Sequence, residues 1–422
     1  MLSVIASWGG SMASIAPFRG IRYNPEKIGD LSFVVAPPYD VITPSAQDRY
    51  YAQHPQNVIR LILGKELPGD DEKESRYTRA RGFFHSWLKE GVLVQDPVPC
   101  LYLYEQRFVH PRTGDRLRRL GVLALVRLEP FTSHVIFPHE RTFEKPKQDR
   151  LAMIKACSAN LEPIFAFYPD PLETVQALLE EEAEKDPTID FLDEGIENRL
   201  WLLQDEGRIR EIVEAFRGER LFIADGHHRY ETALAFRGEL EEADPAPPEV
   251  KAKRSYQYVM MLLVSARDPG LVILPTHRLL KSILHPSADA LLEEVRRFFT
   301  VEARELRQGR EAEDMRRVLE EMERLGQGRC VLGMSVGGKD LYFLTLRGDV
   351  PQRLLGPDVM VLHQLLIEGL FSASLEEIAY TRDEVEALRA VMAGRFRLAF
   401  FLNPPRIIEV QEVAEAQELL PP

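Results

Sequence analysis

The apolar positions of this chain change period repeatedly, and each change predicts an element. Residues 18–23 read as a short strand, and Pro37-Pro38 keeps residues 34–42 extended. Thr43-Pro44-Ser45 has the form of a helix N-cap followed by proline at the first helical position, predicting a helix to about Gln53. Tyr77, Ala80, Phe84, Trp87 and Leu88 fall at helical spacing, with Gly91 as a stop. Residues 101–109 and 116–128 flank Pro111-Arg112-Thr113-Gly114 and predict a β-hairpin. Residues 134–155 read as a loop rich in functional side chains, leading into a helix near Asp149.

Beyond that loop the pattern alternates. Strands are expected at 161–168, 199–204 and 220–224, with helices at 172–184 and 208–216, which suggests a partly parallel sheet. Ala243-Asp244-Pro245-Ala246-Pro247-Pro248 breaks the series as a surface loop or linker. Strands are then expected at 256–264 and 272–273. The tail reads as charged helices from about Ser287, a hairpin over 329–336 and 341–346, apolar helices near 359–371, and a strand at 397–402.

Composition narrows the classes. A chain of 422 residues should hold two or three domains, and a hydrophobic fraction of 45% is enough for full cores. The net charge of −13, from 53 basic against 66 acidic residues, argues against a general nucleic-acid binder. Three scattered cysteines (Cys100, Cys157, Cys330) predict neither a disulfide framework nor a thiolate zinc site, and fit a reducing cytoplasm. No apolar run reaches membrane-spanning length, and the first residues lack a basic leader. Residues 1–17 are expected to be disordered or extended, and the oligomeric state, a homodimer included, is left open.

Candidate chemistry concentrates where the apolar strand 221–224 stops at Asp225-Gly226-His227-His228-Arg229. Gly226 allows positive φ and close approach of a ligand, and Arg229 offers a donor fork for phosphate oxygens. His227 and His228 supply donors, one of them cationic beside a polyphosphate. Asp225 is a candidate Mg²⁺ ligand or proton acceptor. A second cluster, residues 139–150, carries Glu140 and a basic group of Lys145, Lys147 and Arg150. Asp40 ends a strand-like stretch, where functional residues collect in open α/β sheets, although the stretch taken alone reads as a structural turn. His277 follows a strand-like segment and is a weaker candidate for the same crevice; His363, on an apolar helix, reads as core or interface. P-loop, Rossmann and nucleophile-elbow patterns are absent from the sequence.

Asp225-Gly226-His227-His228-Arg229, between a strand and a helix, resembles the signature of the ParB/sulfiredoxin-like fold, most closely that of the free-serine kinases. Sulfiredoxin-type enzymes carry a cysteine where this chain has His227. Nearly the whole chain is also similar to an uncharacterised prokaryotic family, domain of unknown function 1015. The shared features are residues 36–42, His139-Glu140 with Pro146-Lys147 and Asp149-Arg150, residues 224–230, and Asn403-Pro404-Pro405.

The resemblance implies an α+β (mixed α/β) fold. A nucleotide-binding core would span residues 18–242 with a hairpin-containing insertion at about 70–160, and an α+β region would span 250–422. It implies a cytoplasmic phosphotransferase using ATP or ADP with Mg²⁺ on a small hydroxyl substrate such as free serine, with neither nucleic acid nor membrane as partner. Gly226, His227, His228, Arg229, Lys145, Lys147 and Arg150 would hold the nucleotide, and Asp225 the metal. Asp225, Glu140 and Asp40 are the catalytic candidates, with Glu140 and Asp40 rivals for the base. A metal-dependent phosphatase or hydrolase, and a non-catalytic nucleotide switch, are the alternatives.

Overall fold

The computed structural model describes residues 13–71, 73–281, 287–307, 309–337, 340–350, 356–371 and 377–421. The chain separates into two compact units, Met1–Leu271 and Val272–Pro422. The expectation for residues 1–12 lies outside the described residues.

The first unit is built on a nine-stranded sheet. From one edge its strands are Ile136–Phe137, Leu221–Asp225, Ile164–Tyr168, Tyr258–Ser265, Arg116–Arg127, Leu101–Val109, Ile196–Leu203 and Ile189–Asp193, with Ile15–Ala16 added beside Arg116–Arg127. Only two pairings are parallel: Leu221–Asp225 with Ile136–Phe137, and Tyr258–Ser265 with Ile164–Tyr168. The sheet is therefore partly parallel, as the alternating strands and helices suggested, with antiparallel pairings in the majority. Long returns bring Leu221–Asp225 back between two earlier strands.

Alternation within strands sets the core. Leu101 and Leu103, Leu120 to Val126 at every second position, and Met261 and Leu263 are all buried in one cluster. Phe222 lies between Phe137 and Phe167, ring centroids 5.0 and 5.2 Å away, because the register places all three in one row.

The local signals read from sequence hold closely in several elements. Thr43 Oγ1 accepts the Ala46 N–H at the start of helix Pro44–Gln53, and the helix expected around Tyr77–Leu88 is Arg76–Lys89, where a capping box of Ser75 with Thr78, not anticipated, starts it. The hairpin is Leu101–Val109 and Arg116–Arg127, with Gly114 at φ 78° in its loop.

Other expectations need correction. The stretch expected to be a loop up to Asp149 is helical from Glu144, in Glu144–Cys157. Pro146 falls in the first turn, where its missing N–H would have had no intrahelical acceptor anyway. Strand Ile189–Asp193 was not anticipated; it is a short, half-exposed edge of five residues, Ile189-Asp190-Phe191-Leu192-Asp193. Residues 272–273 are not a strand; the strand is His277–Leu280.

Helices Glu144–Cys157 and His227–Ala243 run side by side in the same sense. Lys147 pairs with Glu231 at 3.2 Å and Lys155 with Glu239 at 2.7 Å, so both chains advance eight residues between contacts. The second unit is a six-stranded antiparallel sheet in the order Phe299–Glu305, Asp340–Leu346, Val331–Val336, Leu398–Phe401, His277–Leu280, Ile378–Thr381. Helices Glu311–Leu325 and Glu384–Met392 cover its core, which includes Met315, Leu319, Phe343 and Leu388. Among the described residues no helix is long and apolar enough to cross a membrane, and all three cysteines are free and buried.

Candidate functional site

Strand Leu221–Asp225 shifts register against Ile164–Tyr168 between Ile223 and Asp225, which turns its end out of the sheet. Gly226 follows at φ 94°, ψ 29°, and helix His227–Ala243 begins at once with no side chain capping it. Its first intrahelical bond runs from the Tyr230 N–H to the Gly226 carbonyl. The preceding N–H groups thus point out of the helix end, where backbone dipoles favour an anion. Tyr230 anchors this turn: it is fully buried, and its hydroxyl donates to the Glu129 carbonyl at 2.7 Å.

Arg229 lies under the turn with a nearly buried side chain. It donates to the Pro163 carbonyl and pairs with Asp225, whose carboxylate is half exposed. A Cβ on Gly226 would stand 3.0 Å from the Arg229 guanidinium carbon, so glycine is required both for φ and for this approach.

The two histidines divide sharply. His227 is 3% exposed, and both ring nitrogens are engaged. Its Nε2 accepts the His139 N–H at 3.3 Å, which leaves Nδ1 to donate toward Glu140 Oε2 at 3.4 Å. His139 stands edge-on to it at 4.6 Å, and burial followed by His227 pushes the His139 imidazole down to about 3. The hydrogen bond from His227 holds the Glu140 carboxyl below its ordinary range. His228 accepts the Phe143 N–H through Nε2 at 2.9 Å, leaving Nδ1 free of that bond, and burial lowers its pKa. A cationic histidine, anticipated from sequence, is therefore disfavoured at His139 and His228.

Asp40 sits on the one-turn 3-10 helix Tyr39–Val41. Desolvation and then the charge of Asp225 raise its carboxyl above the usual range, against the opposing pull of Arg229. Asp40 and Asp225 are thus close enough for the charge of one to act on the other. Glu162, not singled out from sequence, joins the Tyr39 turn to Arg150. Its Oε1 accepts the Tyr39 N–H at 3.1 Å, its Oε2 accepts from Arg150 at 3.2 Å, and burial raises its pKa. A small pocket of about 50 Å³ opens beside Glu162, with Arg150, Asn160, Glu162, Arg229 and Thr232 as its polar lining; neither Asp40 nor Asp225 lines it.

The basic group expected from sequence is dispersed. Lys145 is exposed, whereas Lys147 is held by Glu231. Arg150 is 6% exposed and sits on a helix, not on a loop. It donates to Asp149, the Ile62 carbonyl and Glu162, and its guanidinium lies 3.8 Å from the Tyr39 ring centroid. His277 belongs to the second unit, where its Nδ1 accepts the Leu402 N–H, and His363 is buried in that unit too. Among the described residues no three His, Cys, Asp or Glu side chains cluster as a ready-made metal site.

No curated protein matches the chain. The solved structures similar to it include the following three. A mutant free serine kinase in complex with AMP shares 12% identity at a TM-score of 0.33, over 72% of this chain and 85% of its own. A conserved hypothetical protein from Pyrococcus furiosus shares 13% at 0.30, over 72% and 88%. SbnI with C-terminal truncation, from Staphylococcus aureus, shares 12% at 0.29, over 71% and 79%. The family described as "Protein of unknown function (DUF1015)" matches residues 15–364, and the chain belongs to it.

Proposed function

We propose that the first unit is a ParB/sulfiredoxin-like nucleotide-binding core that catalyses cytoplasmic, Mg²⁺-assisted transfer of a phosphoryl group from a nucleotide to a small hydroxyl compound. One observation carries this reading. An uncapped helix N-terminus, a nearly buried guanidinium paired with Asp225, and a second carboxylate, Asp40, that feels the charges of both lie at the end of one strand. Phosphoryl transfer asks for little more than charge neutralisation and alignment of this kind.

The terminal phosphoryl group would lie against the N–H groups of His227, His228 and Arg229, with the Arg229 guanidinium beneath it. His228 Nδ1 is a further donor. Mg²⁺, which commonly uses one or two carboxylates together with phosphate oxygens, would take Asp225. The acceptor hydroxyl oxygen bonds to phosphorus, the bond from phosphorus to the bridging oxygen of the nucleotide breaks, and a carboxylate takes the hydroxyl proton. Asp40 is the better base, because its carboxyl is raised whereas that of Glu140 is held low by His227. Lys145, which is exposed, would meet the outer phosphates. A pocket of about 50 Å³ holds a few waters or the end of a small acceptor, so the nucleoside would lie outside it.

The test is calorimetric titration with Mg·ADP and Mg·ATP, then ³¹P NMR of mixtures with free amino acids and small alcohols. Asp225→Asn and Asp40→Asn should each lower transfer by about 100-fold or more. No nucleotide binding at all overturns the reading. Binding without any product points instead to a nucleotide switch, and tightly bound Zn²⁺ or Mn²⁺ with ester hydrolysis to a hydrolase.

A further inference from the structure

A short turn bearing a catalytic aspartate holds its place only if something rigid fixes it. The Pro37–Val41 stretch has little of its own: its only helical feature is the single turn Tyr39–Val41, which no side chain caps. Asp40 itself is exposed. The neighbouring Tyr39, however, is gripped twice. Its backbone N–H is taken by Glu162 Oε1 at 3.1 Å, and its ring is covered by the Arg150 guanidinium at 3.8 Å.

Glu162 and Arg150 join each other at 3.2 Å, and each is tied into a separate element. Arg150 reaches the Ile62 carbonyl and Asp149, and Asp149 in turn takes hydrogen bonds from Arg76 and from the Tyr77 hydroxyl at 2.8 Å. Glu162 is two residues before strand Ile164–Tyr168, which pairs with the motif strand at Phe165↔Asp225. Its neighbour Pro163 accepts from Arg229. One carboxylate therefore links the turn before Asp40 to the strand that carries Asp225.

We infer that Glu162 is a positioning residue which, with Arg150, fixes the Tyr39–Asp40 turn relative to Asp225 and so sets the placement of the base. It does so through the backbone of Tyr39 without touching the reacting atoms. A charge-assisted bond to a backbone N–H is directional, and the partly buried setting of both partners limits competition from water. The catalytic consequence rests on the proposed phosphotransfer; the mechanical one does not.

The experiment measures amide hydrogen exchange by mass spectrometry on the full chain, following peptides that cover residues 35–43, beside melting temperature, Mg·ADP affinity and transfer rate. In Glu162→Ala, exchange at Tyr39 and Asp40 should rise by about tenfold or more while peptides from Leu221–Asp225 stay unchanged. Arg150 keeps Asp149 as partner in that variant, so it is not left alone. Glu162→Gln keeps an acceptor for the Tyr39 N–H but meets Arg150 with a neutral amide, so its effect should be smaller. This variant decides the matter if alanine at this position prevents folding. Transfer rate should fall by about tenfold or more, with Mg·ADP affinity within about twofold, since the phosphate-binding helix end is untouched.

Unchanged exchange over residues 35–43 in a folded Glu162 variant overturns the inference. So does a loss of nucleotide affinity equal to the loss of rate. If the wild-type chain transfers no phosphoryl group, the proposed function fails on its own, and the exchange measurement still decides whether Glu162 holds the turn.

Discussion

Gly226→Ala tests whether the turn is as tightly specified as its geometry indicates. Two costs add. The backbone at φ 94° lies where an L-residue is strained, at about 1–2 kcal/mol. The new Cβ would also stand 3.0 Å from both Cζ and Nε of Arg229. Arg229 cannot simply withdraw, because its guanidinium is tied to the Pro163 carbonyl and to Asp225. Displacing it sacrifices a charge-assisted hydrogen bond worth about 1.5–3 kcal/mol. The sum is about 2.5–5 kcal/mol, which at about 2–4 °C per kcal/mol lowers the melting temperature of the first unit by roughly 5–20 °C. Calorimetric melting of wild type, Gly226→Ala, Arg229→Ala and the double variant separates the terms. With Arg229 truncated the glycine substitution should cost only the backbone strain, a coupling of about 1.5–3 kcal/mol. A Gly226→Ala shift below about 2 °C, or additivity in the cycle, refutes the claim that glycine is needed for the approach of Arg229.

Three further perturbations test the surrounding structure. Phe222→Ala removes a fully buried ring held between Phe137 and Phe167 and should cost about 3–5 kcal/mol in urea unfolding; a loss below about 1 kcal/mol would mean the row does not pack as described. Glu105→Ala strips the shared buried carboxylate from Arg107 and Arg118 and should cost about 3–5 kcal/mol, and Glu105→Gln less, by the same measurement; equal stability of wild type and alanine variant contradicts this. The His139 imidazole is pushed down to about 3 from 6.5, so between those values the unfolded chain binds more protons than the folded one. Its contribution is complete above about pH 6.5 and is lost as pH falls toward 3, and His139→Gln should flatten melting temperature against pH in that window; an unchanged slope counts against the burial of His139.

What the sequence disclosed was local. Thr43 as a cap, the hairpin around Gly114 and the strand ending at Asp225 each depend on residues a few positions apart, and the structure places all three where the pattern does. The helix start at Glu144, where a loop was expected, is compatible with Pro146, because in the first turn proline removes only a donor that had no acceptor. Glu162 carried no signal at all. It reaches Tyr39, 123 residues earlier in the chain, only because strand Ile164–Tyr168 is drawn between Leu221–Asp225 and Tyr258–Ser265. The roles of His227 and His228 were equally hidden. Adjacent histidines on a helix point apart, but which one turns inward depends on the 139–143 segment, whose N–H groups claim one ring nitrogen of each.

The charges around the crevice constrain what can enter it. Arg76 and Arg150 share Asp149, Arg150 also meets Glu162, and Arg229 meets Asp225, so each guanidinium already faces a carboxylate. His139 and His228 are shifted toward neutrality, and Lys147 is committed to Glu231. Among the described residues Asp40 and Glu140 have no lysine or arginine ion pair, and Glu140 takes the hydrogen bond from His227. On the proposed phosphotransfer, a divalent cation held at Asp225 would neutralise part of the phosphate charge and, by drawing the carboxylate toward itself, would free one face of Arg229 for the same phosphate. Metal and nucleotide would then bind as a unit, and the pairing of Asp225 with Arg229 would be the resting form of a site whose two halves part when both arrive.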